Sequence, residues 1–227
     1  MCRSRNRRVQ YRWRNAQYVG RMAPRCALPF PALAPRHDRW NRTARFQKEF
    51  PGVALQLQEL STSDQIPALQ ARQIHYGFVH SSALPAGISS HVLMREPFLL
   101  CLPAHHPRAG SRSAKLSEFR NEPFVLFSRA FSPSYYDQVV ARCLAAGFHP
   151  HIQHQVRHWL TVLACVARGM GITLAPRALA KADFPGVSFV RIEASPVESV
   201  VYGAWLSDDD NVILPAWHRI VEEEVTA

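Results

Sequence analysis

The sequence lacks the features that identify several common classes of protein. Its five cysteines are odd in number and include no CxxC pair, which is typical of a reducing environment rather than of a disulfide framework. No apolar run approaches the ~18 residues that a membrane helix needs. The first residues have no apolar stretch behind their charges, so they do not form a secretory signal. These absences predict a cytoplasmic protein without a membrane segment.

Enzyme signatures are missing as well. GxSxG, HExxH, P-loop and GxGxxG patterns do not occur. Gly169-Met170-Gly171 follows a predicted helix and indicates a turn, and Asp208-Asp209-Asp210 is typical of a solvated turn rather than a metal site. We therefore expect no catalytic residues and no cofactor, with an enzyme that reuses a binding cleft as the remote alternative.

Histidines are concentrated in the segment HPHIQHQVRH, at positions 149, 151, 154 and 158. Metal binding would require convergent ligands with a fixed geometry, and no cysteine or acidic residue lies nearby in the sequence. A surface cluster is the favoured interpretation, and no metal site is predicted.

Positive charge is confined to one end of the chain. Residues 1–45 contain 12 arginines, no lysine and one acidic residue, Asp38, so their net charge is +11. The rest of the chain carries a net charge of −1, which gives the total of +10. The same segment contains Pro29, Pro31 and Pro35, which argue against a long helix or a central strand. For residues 1–41 we favour a misassigned or out-of-frame start. The alternatives are a disordered basic arm that contacts phosphates, and a solvated tail.

From Arg42 onwards, short apolar strands alternate with amphipathic helices. Val53–Glu59 alternates apolar and polar residues as a half-buried strand does, and Ser61-Thr62-Ser63 offers hydroxyl N-caps for the helix that follows. Ser132-Pro133 opens a second helix, which Gly147 ends. Such alternation predicts an α/β protein with a mostly parallel sheet.

Five segments resemble, in order and spacing, the effector-binding domain of LysR-type transcriptional regulators. They are ARFQKEFPGVALQLQE at 44–59, LQARQIHYGFV at 69–79, LMREPFLLCLPAHHP at 93–107, EPFVLFSR at 122–129 and VARGMGITLAPRAL at 166–179. The resemblance covers about residues 43–226. ELSTSDQIPAL and VLFSRAFSPSYYDQV look most like the branch that senses intermediates of aromatic catabolism.

The resemblance implies a two-lobed, periplasmic-binding-protein-like (type 2) fold with two crossover strands. Lobe I would comprise about 43–103 plus 200–227 and lobe II about 104–195, within a domain of residues 42–227. A small organic anion, aromatic-derived in the narrower form of the resemblance, would bind in the cleft between the lobes. Helix N-termini and the carboxyl ends of strands at this edge suit a carboxylate.

Candidate effector-binding residues follow from this placement: Ser61, Thr62, Ser63, His80, Phe127, Ser128, Arg129, Ala130 and Phe131. Arg129 could pair with an effector carboxylate, and Phe131 could cover an aromatic ring. For the hydroxyl residues the alternative is plain helix capping, and for Arg129 it is a solvated loop cation.

The sequence also departs from the family pattern. The winged helix-turn-helix through which the family binds DNA is absent from these residues, and so is the first strand of lobe I. Lobe I would therefore fold poorly unless residues 20–35 supplied a strand. We expect an N-terminally truncated effector-sensing domain that forms a homodimer or tetramer. A stand-alone small-molecule binding protein without DNA binding is the alternative.

Overall fold

The computed structural model describes residues 25–28, 39–81, 83–193 and 198–223. Its ten strands are β1 (Arg25–Leu28), β2 (Gln56–Glu59), β3 (Tyr76–Val79), β4 (Ile88–Pro103), β5 (Ser113–Ala114), β6 (Pro123–Phe127), β7 (His151–Val156), β8 (Thr173–Pro176), β9 (Val187–Ile192) and β10 (Glu198–Leu206). The five α-helices in these ranges are α1 (Arg39–Glu49), α2 (Thr62–Gln70), α3 (Pro133–Ala145), α4 (Trp159–Ala167) and α5 (Leu214–Glu223). Short 3₁₀ helices span Leu116–Phe119 and Arg177–Ala182. The predicted α/β alternation is confirmed.

Helix α3 illustrates how local sequence sets an element's ends. Ser132 is its N-cap residue and Pro133 its first residue, where the missing N–H has no intrahelical partner to lose. The helix ends before Gly147, which has a positive φ of 83°. Both boundaries agree with the sequence prediction.

Strand β1 occupies a central position in the sheet of lobe I. It pairs in parallel with β2 on one side and with β3 on the other. The inference that prolines exclude a central strand here was therefore wrong for Arg25–Leu28. Pro24 and Pro29 flank the strand in sequence, so each of its four residues retains an N–H for the ladder. The rest of the basic segment, residues 1–24 and 29–38, lies outside the described residues.

Strand β2 is shorter and more exposed than its alternating sequence predicted. It begins at Gln56 rather than Val53, and all four of its residues are exposed. The prediction of a half-buried strand was wrong, because β2 ends the order β2-β1-β3-β10-β4 in the sheet. An edge strand rich in polar and charged residues is a usual way to protect a sheet edge.

Lobe II contains a second sheet segment in which β4 pairs with β8 and β9, and β5 pairs with β9. β6 and β7 form a parallel pair, and a bridge between Phe124 and Ile172 joins them to the start of β8. This approach is close, since a Cβ atom on Gly171 would lie 2.6 Å from the carbonyl oxygen of Pro123. Gly171 also has a φ of 149°, so only glycine meets both conditions comfortably.

Strand β4 is one element that connects the two lobes. Nine of its first ten residues pair with β10 in lobe I, with a register shift that skips Leu93, and its last residues, from Phe98, pair with β8 and β9 in lobe II. Pairing along β4 is antiparallel throughout, so the sheet is mixed rather than mostly parallel, which corrects the prediction. At the changeover, the buried Glu96 accepts a hydrogen bond from the backbone N–H of Ala178 at 2.5 Å.

The hydrophobic core follows this division. In lobe II, one continuous cluster of 23 buried residues, counted among the described side chains, lies between the sheet, α3 and α4. In lobe I, the sheet separates a cluster beneath α1 and α5, which contains Phe46, Tyr76 and Trp217, from a smaller one beneath α2. None of the helices in the described ranges is long and apolar enough to span a membrane.

Candidate functional site

A cleft of about 260 Å³ opens between the two lobes. One wall comes from lobe I, where β2 leads into α2 and where β3 ends. The other comes from lobe II, where β6 leads into α3 and β7 leads into α4. The lining residues are Glu59, Leu60, Ser61, Thr62, Asp64, His80, Phe127, Phe131, Ser132, Tyr135, Arg157, His158, Trp159 and Pro176.

The lobe I wall is built around the first turn of α2. The Ser61 hydroxyl accepts a hydrogen bond from the backbone N–H of Asp64 at 3.1 Å and donates one to its carboxylate at 2.7 Å. Ser61 is thus the N-cap of α2 and lines the cleft at the same time. The hydroxyl of Thr62 accepts the N–H of His80 at 3.4 Å, which ties the helix start to the end of β3.

Three aromatic rings form an apolar floor in lobe II. Phe127 meets Trp159 edge-on with 4.9 Å between ring centroids, and meets Tyr135 at 5.4 Å. The buried hydroxyl of Tyr135 donates to the carbonyl oxygen of Leu174 at 2.5 Å, and burial raises the pKa of this phenol. The floor is therefore fixed by T-shaped ring contacts and by one anchored hydroxyl.

A cation lies at the edge of this floor. The guanidinium carbon of Arg157 lies 3.6 Å from the centroid of the Phe131 ring, in a cation–π contact. Both residues line the cleft, Arg157 just after β7 and Phe131 just before α3. A guanidinium held over a ring presents its N–H groups at a defined place, which suits a planar carboxylate.

A polar contact also crosses the cleft. Nδ1 of His158, on lobe II, lies 3.0 Å from a carboxylate oxygen of Glu59, at the end of β2 in lobe I. About half of each side chain is exposed, so the pair lies at the solvent side of the site. His158 is also the N-cap residue of α4, although its side chain makes no capping hydrogen bond.

Five of the nine residues predicted from sequence line the cleft: Ser61, Thr62, His80, Phe127 and Phe131. The other four, Ser63, Ser128, Arg129 and Ala130, are not among the lining residues. Ser128 instead organises the turn after β6, since its carbonyl oxygen accepts the N–H of Phe131 at 3.0 Å. Their predicted contact with an effector stays a prediction.

Arg129 is engaged on the outside of lobe II. Its guanidinium binds both carboxylate oxygens of Asp137, at 2.7 and 3.1 Å. The hydrogen bond from Arg129 lowers the pKa of Asp137, and the same bond raises the pKa of Arg129. Of the two interpretations of Arg129, the solvated loop cation fits this exposed guanidinium better than the cleft residue. The guanidinium is nevertheless paired, with Asp137.

Sequence reasoning missed nine lining residues, among them Glu59, Arg157 and His158. A signal for the last two existed, because they directly follow β7 and the carboxyl ends of neighbouring parallel strands lie at one edge of a sheet. Within the described ranges, no group of three or more histidine, cysteine or acidic side chains is arranged to hold a metal ion.

The family model for the LysR substrate binding domain matches residues 40–225. The chain belongs to this family. A curated relative, the HTH-type transcriptional regulator IlvR of Caulobacter vibrioides, is 30% identical over 186 residues, covering 81% of this chain and 62% of the relative. The curated regulators YnfL of Escherichia coli and AlsR of Bacillus subtilis are covered over 54% and 56% of their length, so this LysR-family chain spans about half the length of the relatives it matches.

Solved structures give the same fold. The BenM effector binding domain with its effector benzoate superposes with a TM-score of 0.75 at 19% identity, covering 88% of this chain and 90% of that one. Full-length CbnR complexed with its target DNA gives 0.77 at 22% identity, covering 90% and 71%. The expected two-lobed LysR-type effector-binding fold is confirmed. All three curated relatives are named as HTH-type transcriptional regulators.

Proposed function

We propose that this chain is the effector-sensing part of a cytoplasmic LysR-type transcriptional regulator, and that its cleft binds a small organic anion of the aromatic carboxylate class. The observation that carries the proposal is the guanidinium of Arg157 held 3.6 Å over Phe131 at the edge of an apolar, aromatic-lined cleft. One cation beside a hydrophobic floor matches a ligand with one acidic group on a flat apolar body.

The dimensions and the polar groups of the cleft support the same ligand class. Its volume of about 260 Å³ is close to the lower end of the usual range for small-molecule sites. Phe127 and Trp159 offer ring edges and faces to an aromatic body. The hydroxyls of Ser61 and Thr62 lie at the N-terminus of α2, where the helix dipole favours negative charge.

In this proposal the ligand acts by binding one arrangement of the lobes better than the other. Because the cleft residues come from both lobes, ligand contacts with Thr62 on one wall and Arg157 on the other would change the preferred angle between them. In a homodimeric or tetrameric regulator, this angle would set the spacing of DNA-binding heads. The DNA-binding part of this proposal is supported by full-length CbnR, a structural neighbour that was solved in complex with its target DNA.

Benzoate, the effector of the structural neighbour BenM, is a suitable first probe for isothermal titration calorimetry of the 227-residue chain. We expect Arg157→Gln to weaken benzoate binding about tenfold or more, because a charge-assisted hydrogen bond is worth roughly 1.5–3 kcal/mol.

Arg129→Gln is the matched control for this experiment. This substitution removes a guanidinium at the position that the sequence predicted for the anion site. In the unaltered chain, the guanidinium of Arg129 is bound by Asp137 outside the cleft. Unchanged binding in Arg157→Gln together with lost binding in Arg129→Gln would transfer the anion site to Arg129.

A further inference from the structure

We propose that Glu59 and His158 form a latch that holds the cleft closed while no effector is bound, and that an incoming anion takes the place of Glu59 beside His158. The ligand-replacement step rests on the proposed function. The latch itself does not, and it can be tested without any ligand.

The geometry places the two partners on opposite walls. Glu59 is the last residue of β2, and the next residues, Leu60 and Ser61, lead into α2 in lobe I. His158 follows β7 and precedes α4 in lobe II. The distance of 3.0 Å between Oε1 and Nδ1 therefore joins segments that are distant in sequence, and the contact must break if the lobes separate.

The pair lies in the cleft itself, so it could compete with an effector as well as hold the lobes together. Both residues line the cavity, and Arg157, the cation proposed to hold the effector, is the direct neighbour of His158. A carboxylate from the protein thus occupies the place beside the His158 imidazole, in a cleft that Arg157 also lines. Glu59 is an internal counterpart of the ligand's own acidic group.

The expected strength of the latch follows from the solvent exposure of its two side chains. Side chains that are about half exposed form contacts of modest strength, so the latch should bias the lobe equilibrium without locking it. Loss of the pair should raise the population of open lobes about two- to fivefold, which is the factor that a typical exposed pair provides. A weak latch is suitable for a sensor, since a strong one would reduce the apparent affinity for the effector.

The first test is a double-mutant cycle on the ligand-free chain, with Glu59→Ala, His158→Ala and the double variant. Spin labels carried by unnatural amino acids at the exposed positions Gln73, in lobe I, and Leu144, in lobe II, report the distance between the lobes by pulsed electron resonance. Each single variant should enlarge the open population, and the double variant should enlarge it no further. An unchanged distance distribution, or effects that simply add, would overturn the latch.

Arg72 and Asp208 provide the matched control cycle. Their side chains lie 3.1 Å apart and are exposed, but both belong to lobe I. Arg72→Ala and Asp208→Ala should leave the distance between the labels unchanged. A similar opening in this control would show that the distance responds to surface charge in general, and it would overturn the specific role of Glu59.

The second test adds benzoate. If Glu59 competes with the ligand for His158, Glu59→Ala should bind benzoate about two- to fivefold more tightly than His158→Ala, because both variants lose the latch and only Glu59→Ala keeps the imidazole. Equal or weaker binding would overturn the competition. If benzoate binds neither protein, the aromatic-carboxylate proposal fails, and the distance cycle still decides whether the latch exists.

Discussion

The two lobes share one α/β plan but differ in how they are held together. Among the side chains that the structure describes, lobe II has a continuous core of 23 buried hydrophobic residues, whereas the sheet of lobe I separates clusters of ten and five. Lobe I also depends on β1, which is contributed by the basic N-terminal segment, and it contains the neighbouring histidines His91 and His218. The difference suggests a firm lobe II, which supplies the floor of the cleft, and a more easily perturbed lobe I.

Removing a core ring from lobe II should have the largest effect on stability. Phe124 is fully buried between β7 and the start of β8, so Phe124→Ala should lower the free energy of unfolding by about 3–5 kcal/mol. This loss can be measured by thermal unfolding, followed through the fluorescence of Trp159 in the same core. A loss below about 1 kcal/mol would contradict the continuous core.

Breaking the ladder of β1 should affect lobe I selectively. Ala27 pairs with Gln58 of β2 and with Gly77 of β3, and Ala27→Pro removes its N–H and leaves a partner unpaired. We expect a loss of about 1–3 kcal/mol, reported by Trp205 and Trp217 more than by Trp159. Ala27→Gly, which keeps the N–H, is the control. Equal shifts for all three reporters would show that the lobes unfold as one unit.

A third expected effect is a pH dependence that originates from the two neighbouring histidines of lobe I. Burial lowers the pKa of His218 from an ordinary 6.5 to about 4, with a further contribution from His91, and burial also lowers the pKa of His91. Because the unfolded chain binds these protons at higher pH, their contribution to stability is complete above pH 6.5 and falls as the pH decreases towards 4.

Unfolding midpoints measured between about pH 7 and pH 4 with Trp205, whose ring centroid lies 4.2 Å from that of His218, check this prediction. His218→Phe retains the ring contact and should flatten the pH profile. The same profile in this variant and in the unaltered chain would exclude His218 as its source.

Much of the fold could be predicted because local signals agree with the tertiary structure. Ser61, Pro133 and Gly147 mark helix ends whose backbone geometry follows from those residue types. β1 was missed because proline density was judged over a whole segment, while this strand needs only four residues that keep their N–H groups. The exposure of β2 depends on which strand lies at the edge of the sheet, and that is set by long-range pairing.

Only part of the candidate site could be predicted, because some of its lining residues depend on pairing between distant strands. Residues after β6 were expected in the cleft because the family places them there, and Phe131 does line it. Arg157 was missed because its place depends on the parallel pairing of β7 with β6. Arg129 was expected in the cleft because it lies in this loop, and its bond to Asp137, eight residues further on, lies outside the cleft.

The 16 residues of β4 run from lobe I into lobe II, a length of roughly 50 Å at the usual rise of a strand, with one irregularity of register beside Leu93. A rod hydrogen-bonded along its length resists bending, because bending would stretch its bonds to β10, β8 and β9. Torsion is the softer deformation, since strands twist naturally. Relative motion of the lobes should therefore include a twist about the axis of β4 near Glu96, so that the walls of the cleft turn against each other as they separate.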